Sequence, residues 1–195
     1  MKSLRFTPSA VLAICFFEHA AVSNAVEEIT NEQRLEAFSK LPAAERQKPE
    51  FFAMKLVVED SAKRVLDEPD RSKIKLLDSE EILRLDHGSN EKPIYEWIVV
   101  QKTALLNRTH VAECVPRFGR NGWELSIKFT DEGKKVFGQV TQTAVGHRIA
   151  LVIGGSIVLS APNINEPILG GEATISGGNL DEFAARNIAA FFEHP

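Results

Sequence analysis

The chain has 195 residues, 44% of them hydrophobic and 26% charged, with a formal net charge of −4 and a pI near 5.8. Such a composition excludes wholesale disorder, a collagen-like repeat and a coiled-coil rod, and the acidic balance argues against general nucleic-acid binding, which needs a basic surface to neutralise phosphates. Two cysteines cannot build a disulfide framework, and no apolar run reaches the roughly 18–20 residues of a spanning helix.

Taken in chain order, the first segment has the three regions of a secretory signal. Lys2 and Arg5 give a basic start, Ala10–Phe17 a short apolar core, and Ser23-Asn24-Ala25 small residues where a signal peptidase reads. Glu18-His19 interrupts the apolar stretch, so a buried N-terminal helix is the competing reading; lipid attachment at Cys15 is disfavoured because Ile14 is too large for the preceding site. The expectation is cleavage after Ala25 and a secreted, periplasmic chain. That removes Lys2, Arg5 and Glu18, taking the net charge from −4 to −5, and leaves Cys114 as the sole thiol.

Residues 26–49 read as a helical extension and linker: a short surface helix with Ile29, Leu35 and Phe38 apolar and Thr30 or Asn31 near its start, then a charged link from Pro42 to Pro49. The domain proper is expected over 50–195. Phe51–Val58 predicts a strand. In the charge-rich stretch 60–86, Ile74, Leu76 and Leu77 suggest a short edge strand and Ser79-Glu80-Glu81 a helical turn, and the run Glu59–Arg71 reads as a solvated face; His87–Pro93 is a loop. Tyr95–Val100 and Trp123–Phe129 predict strands. In the second, Trp123, Leu125, Ile127 and Phe129 alternate with Glu124, Ser126 and Lys128, giving one buried and one wet face. Thr130-Asp131-Glu132 caps a helix with Val136, Phe137, Val140 and Ala144 on one side and Gly146 at its stop. Arg148–Ile153 and Ile157–Ser160 flank Gly154-Gly155-Ser156 as a hairpin. After a loop from Pro162 to Gly171 come a strand at Ala173–Ser176 and a helix capped by Asn179, with Leu180, Phe183, Ala184, Ile188 and Phe191 as its apolar stripe. The predicted fold class is α+β, a mainly antiparallel sheet with helices packed on one face.

The residues offer no catalytic, metal or cofactor constellation. His87, His110, His147 and His194 are scattered rather than paired as metal ligands are. Cys114 with His110 four residues before it is a weak nucleophile pair, and a small buried hydrophobe is the better reading. Gly154-Gly155-Ser156 lies in a hairpin and lacks the closing glycine of a nucleophile elbow. Gly170-Gly171 and Gly177-Gly178 match no phosphate loop and read as turns.

Several of these segments together resemble a known family. Phe129–Phe137, Thr141, Gly146, Ile149–Val152, Ser160-Ala161-Pro162, Glu166-Pro167-Ile168, Gly170-Gly171 and Ile175–Gly178 follow one another as in the head subdomain of the first periplasmic domain of SecD, a Sec protein-export subunit. The similarity is strong over 123–188 and weaker over 52–122, where Phe52–Val58, Thr103–Leu106 and Val111-Ala112 look like family motifs. The resemblance implies a SecDF periplasmic head-like fold in which Phe129, Gly133, Thr141, Gly146, Pro162, Gly170, Gly171, Ser176 and Gly177 are structural. It further implies contact with translocating or unfolded polypeptide, or with Sec translocon components. The proton-coupled motor of the family belongs to its membrane helices, so the expectation for this chain is a stand-alone, non-enzymatic secreted module. At the hairpin tip the family usually has an aspartate before the glycine; Gly154 stands there instead.

The competing function is a periplasmic binding module for another envelope partner or ligand, on the same fold. For either, the hairpin and the following loop are the expected contact region, through Gly154, Gly155, Pro162, Asn163 and Ile168. The hairpin is apolar on both faces, with Ile149, Leu151 and Ile153 on one and Ala150 and Val152 on the other. One face is expected on the core; the other meets a partner, or is covered by the N-terminal helix.

Overall fold

The computed structural model describes residues 31–67, 70–86, 95–120, 122–176 and 180–193. The expected leader, the loop His87–Pro93, Gly177 and the Asn179 cap lie outside these residues. Chain order is α1 (Asn31–Ser39), α2 (Ala43–Arg46), β1 (Phe52–Leu56), α3 (Ser61–Asp67), β2 (Glu80–Asp86), β3 (Tyr95–Gln101), β4 (Leu106–Asn107), β5 (Val111–Gly119), β6 (Gly122–Phe129), α4 (Asp131–Thr143), β7 (Ile149–Ile153), β8 (Ile157–Ser160), β9 (Glu172–Ser176) and α5 (Glu182–Ala190). The α+β class stands, with two sheets: six strands in the order β3-β2-β8-β7-β1-β4, and three in the order β5-β6-β9. Neighbours are antiparallel except β2 with β8.

The larger sheet rolls up. Val57, just past β1, bridges Val100 of β3, and the Val58 N–H donates to the Val99 carbonyl (2.9 Å), so the far strand returns to the near one. Alternation then places Ala53, Leu83, Leu85, Ile98, Val100, Ala150, Val152 and Val158, from β1, β2, β3, β7 and β8, in one cluster that, among the described residues, contains no helical one. Two ion pairs of the same parity cross between elements that are not neighbours in the sheet: Lys55 of β1 with Glu81 of β2, and Arg148, just before β7, with Glu96 of β3 (2.6 Å). These strands form a small, partly closed barrel whose interior is their own side chains.

Its outer face and the inner face of the three-stranded sheet enclose the main core with α1, α4 and α5. Ile149, Leu151 and Ile153 meet Leu35 and Phe38 of α1, Leu125, Ile127 and Phe129 of β6, and Ala185, Ile188 and Ala189 of α5 there. From the stretch 26–49, read as extension and linker, Leu35 and Phe38 of α1 pack into the same core with Leu41 against it, while α2 buries no residue. Edge-on aromatic contacts extend it, Phe38 to Phe51 to Phe191 (5.6 and 5.1 Å), and Phe52 to Phe192 (5.3 Å).

Several local expectations are corrected. Ser79-Glu80-Glu81 opens β2 rather than a helical turn, because Ile82 to Leu85 pair along β3, and 74–77 form no strand. The segment before β6 is a full strand, β5, which carries Cys114, with His110 in the turn that precedes it. Asp181, not Asn179, caps α5, accepting from the Ala184 N–H (2.8 Å). Phe183 is 40% exposed, and Ala185 and Phe192 take its place in the buried stripe.

Candidate polypeptide-contact surface

The hairpin β7–β8 has no open face. All five residues of β7 are buried. Ile149, Leu151 and Ile153 lie in the main core, while Ala150 and Val152 line the barrel. The layer that covers the second apolar face is therefore the rolled sheet itself, neither a partner nor the N-terminal helix. That helix instead reaches the turn: a Cβ on Gly154 would fall 2.2 Å from the Phe38 ring, and Gly154 holds φ +57°. Of the tip glycines, only Gly155 is exposed.

The Pro162–Gly171 loop starts from the other end of β7. The Ile149 N–H donates to the Pro162 carbonyl (3.1 Å), and Asn163 bridges Arg148. Pro162 and Asn163 thus stand a strand's length, about 15 Å, from Gly155. Ile164 then drops into the core, its carbonyl accepting from the Gly146 N–H (2.8 Å), with Gly146 at φ +87°. The loop next crosses α4, where the buried Thr141 hydroxyl accepts from the Ile168 N–H (2.9 Å) and donates back to the Phe137 carbonyl (2.9 Å). Leu169 rests 3.3 Å from where a Cβ on Gly138 would stand. Pinned by its backbone, the loop leaves Ile168 and Leu169 36% and 58% exposed. Gly171, buried with φ +79°, turns the chain into β9, and its carbonyl accepts from the Phe129 N–H (3.0 Å). The five contact residues read from sequence therefore occupy three places: the tip, the loop's start, and the loop's crossing of α4.

Against this geometry the comparisons with known proteins are decisive for the family. The profile of the SecDF P1 head subdomain matches residues 80–193, more than half of the chain. The chain belongs to the SecDF P1 head subdomain family. It is similar to the protein translocase subunit SecD of Rickettsia bellii, 39% identical over 82 residues that make up 42% of this chain and 16% of that protein. With SecD of Rickettsia typhi it is 34% identical over 98 residues, 50% of this chain and 19% of the relative. The chain thus spans less than a fifth of these curated relatives. Among solved structures, it matches SecDF described as a membrane component that enhances protein export, with TM-score 0.50 and 22% identity, over 86% of this chain and 70% of that one. SecDF in its super-membrane-facing form gives TM-score 0.50 and 22% identity, over 84% of this chain and 20% of that one. Both show likeness of fold.

Some of the motif residues make defined contacts. Phe129 packs on Phe137 (4.6 Å between centroids), and Thr130 caps α4 by accepting from the Gly133 N–H (3.1 Å). Gly133 admits the His110 carbonyl where a Cβ would lie 2.2 Å from its oxygen. Ser176 ends β9, and Gly170 has open space about it. Cys114 is buried on β5, and burial pushes its thiol up to about 12. The Asn107 N–H donates to His110 Nδ1 (3.2 Å) in a capping turn. Among the described residues no group of His, Cys, Asp and Glu is placed to hold a metal, and no helix is long and apolar enough to cross a membrane.

Two features escaped the sequence reading. Arg108 is buried, donates from Nη2 to the Phe191 carbonyl (3.0 Å) and lies 5.4 Å from the Phe192 ring centroid, so it anchors the end of α5. Burial holds its pKa below the ordinary arginine value. A shallow depression of about 460 Å³ is lined by Arg64 and 73–77, but Arg64 is engaged by Asp60 and Glu80. No sequence motif marks either.

Proposed function

We propose that this head acts outside the cytoplasm in Sec-dependent protein export, contacting translocating or unfolded polypeptide without catalysing a reaction. The family match over residues 80–193 carries the reading, since the relatives are protein translocase subunits. The surface supports it: Gly155, Pro162, Asn163 and Ile168 are exposed, and Leu169 adds an apolar side chain held at the surface by a fixed backbone. Cys114 is buried on β5, which supports the non-catalytic reading. Residues 1–25 would direct the export and be cleaved off after Ala25.

Photo-crosslinking in the cell envelope during export tests the reading, with probes at Gly155, Asn163 and Ile168. Capture of a secreted chain in transit, or of a translocon subunit, is the expected result. Capture only from other surface positions would move the contact elsewhere on the head. No capture of polypeptide or translocon from any position would turn the assignment to a binding module for another envelope partner. Intact mass of the secreted protein, beginning at Val26, checks the cleavage.

A further inference from the structure

The two edges of the three-stranded sheet are chemically different. The Phe129 N–H donates to the Gly171 carbonyl, and the Thr130 N–H to the His110 carbonyl (2.9 Å). Bonded and non-bonded pairs alternate along an antiparallel ladder. Odd-numbered residues of β6 therefore turn their backbone groups to β9, and even-numbered ones to β5. In the observed register, Ala173 and Ile175 face Ile127 and Leu125 as bonded pairs. Glu172, Thr174 and Ser176 then point their N–H and C=O groups away from the sheet. Across β6, Glu113, Val115 and Arg117 bond to Lys128, Ser126 and Glu124, which leaves Cys114, Pro116 and Phe118 pointing outward.

Pro116 has no N–H and sits in the middle of the β5 edge, where it obstructs an added strand while removing nothing from the ladder. The β9 edge carries no such block. Glu172, Thr174 and Ser176 are all exposed, and among the described residues no backbone hydrogen bond from beyond the β6 ladder reaches them. The six-stranded sheet offers less: β3 returns to β1, and β4 has two residues.

We propose that the outer edge of β9 is a strand-addition site that takes an extended segment of unfolded polypeptide. The inference rests on the polypeptide-contact reading above and specifies its chemistry. Main-chain pairing recognises any extended chain apart from proline at a bonded position, and the flanking Thr174 and Ser176 are too small to impose a sequence. The exposed Ile168 and Leu169 stand just upstream, across Gly170 and Gly171, where they offer apolar contact to the same segment. A second copy of the chain is the wrong size of occupant: β9 has five residues, about 16 Å of strand, and a strand added along it at about 4.8 Å spacing covers a strip far smaller than the roughly 1,200 Å² that a stable interface buries. A short, sequence-tolerant edge suits a chain that binds briefly and moves on.

Residue-resolved amide exchange on the whole chain tests this, with a reduced and carboxymethylated polypeptide that cannot refold as the probe. Adding it is expected to slow exchange at Glu172, Thr174 and Ser176 and to leave Ala173 and Ile175 unchanged. Thr174→Pro puts on β9 the obstruction that β5 already carries at Pro116, and is expected to weaken binding about tenfold; Thr174→Val, which keeps the N–H, retains it. If the polypeptide binds wild type and Thr174→Pro alike with no new protection on β9, the edge proposal is overturned and the polypeptide-contact reading stands. If wild type does not bind the polypeptide, that reading fails and the edge proposal with it. Protection that grows with protein concentration alone would assign the edge to a second copy and overturn the proposal. Should Thr174→Pro not fold, the wild-type exchange pattern and Ser176→Pro decide in the same way.

Discussion

Gly133 shows how one missing methyl group sets the geometry of a helix start. In an exposed helix, glycine to alanine gains about 1 kcal/mol. Here the added Cβ would meet the His110 carbonyl oxygen at 2.2 Å, on backbone that cannot swing away. Gly133→Ala is therefore expected to destabilise by about 3 kcal/mol, measured by denaturant unfolding. Glu80 is a second residue whose partners decide its behaviour. Its side chain is buried, and the Arg64 guanidinium (2.6 Å), with the Leu77 N–H (3.0 Å), holds its carboxyl below the ordinary value of 4.5. A carboxyl lowered by folding adds stability that is present above its unfolded pKa and fades as pH falls through the folded one. Glu80→Gln should thus cost roughly 1–3 kcal/mol at neutral pH, with the gap to wild type closing below about pH 4. A gap that stays constant with pH would show that the charge is not what matters.

Among the elements, α4 serves as the platform for the surface loop. Thr130 caps its start, and Thr141, fully buried, spends its hydroxyl on both the helix and the loop. Thr141→Val keeps the shape and removes the acceptor, leaving the Ile168 N–H without its bond. It is expected to destabilise by about 1–3 kcal/mol and to speed amide exchange at Ile168, while Thr141→Ser keeps the slow exchange. The strands tell the same story of context. Pro116 is tolerated in β5 because it stands where the ladder needs no donor, as edge prolines do.

Across the whole molecule, a barrel and a helix-backed sheet share one core. Side chains of β1, β7 and β8 meet those of β6, α4 and α5 in a single cluster, so neither sheet keeps its apolar face covered without the other. Unfolding is expected to be one cooperative transition. The two tryptophans divide conveniently: Trp97 lies on β3 under the Arg71 guanidinium (3.9 Å to the ring centroid), and Trp123 on β6 beside Phe118. Fluorescence of Trp97→Phe and Trp123→Phe should each show a single transition that coincides with far-UV circular dichroism of the same variant. Fluorescence and dichroism that part company would separate the two sheets into independent units.

Local chemistry alone determined β6, α4 with its Thr130 cap, the β7–β8 hairpin and the turn at Gly171, because alternation, capping and positive-φ glycines act over a few residues. It also carried the family, whose motifs lie along those same elements. The sequence was silent where partners come from far away. Glu80 to Asp86 is charged at both ends and becomes a strand only because β3 and β8 lie beside it. The alternation of β5 is masked by Pro116, although Asn121-Gly122 after it is a hairpin signal. The hairpin's second apolar face called for a cover, a partner or the N-terminal helix, and only the return of β3 to β1 showed that the sheet covers itself. The candidate contact residues were read from a turn and a loop, but their separation into three places, and the open edge of β9, follow from strand register, which long-range pairing decides.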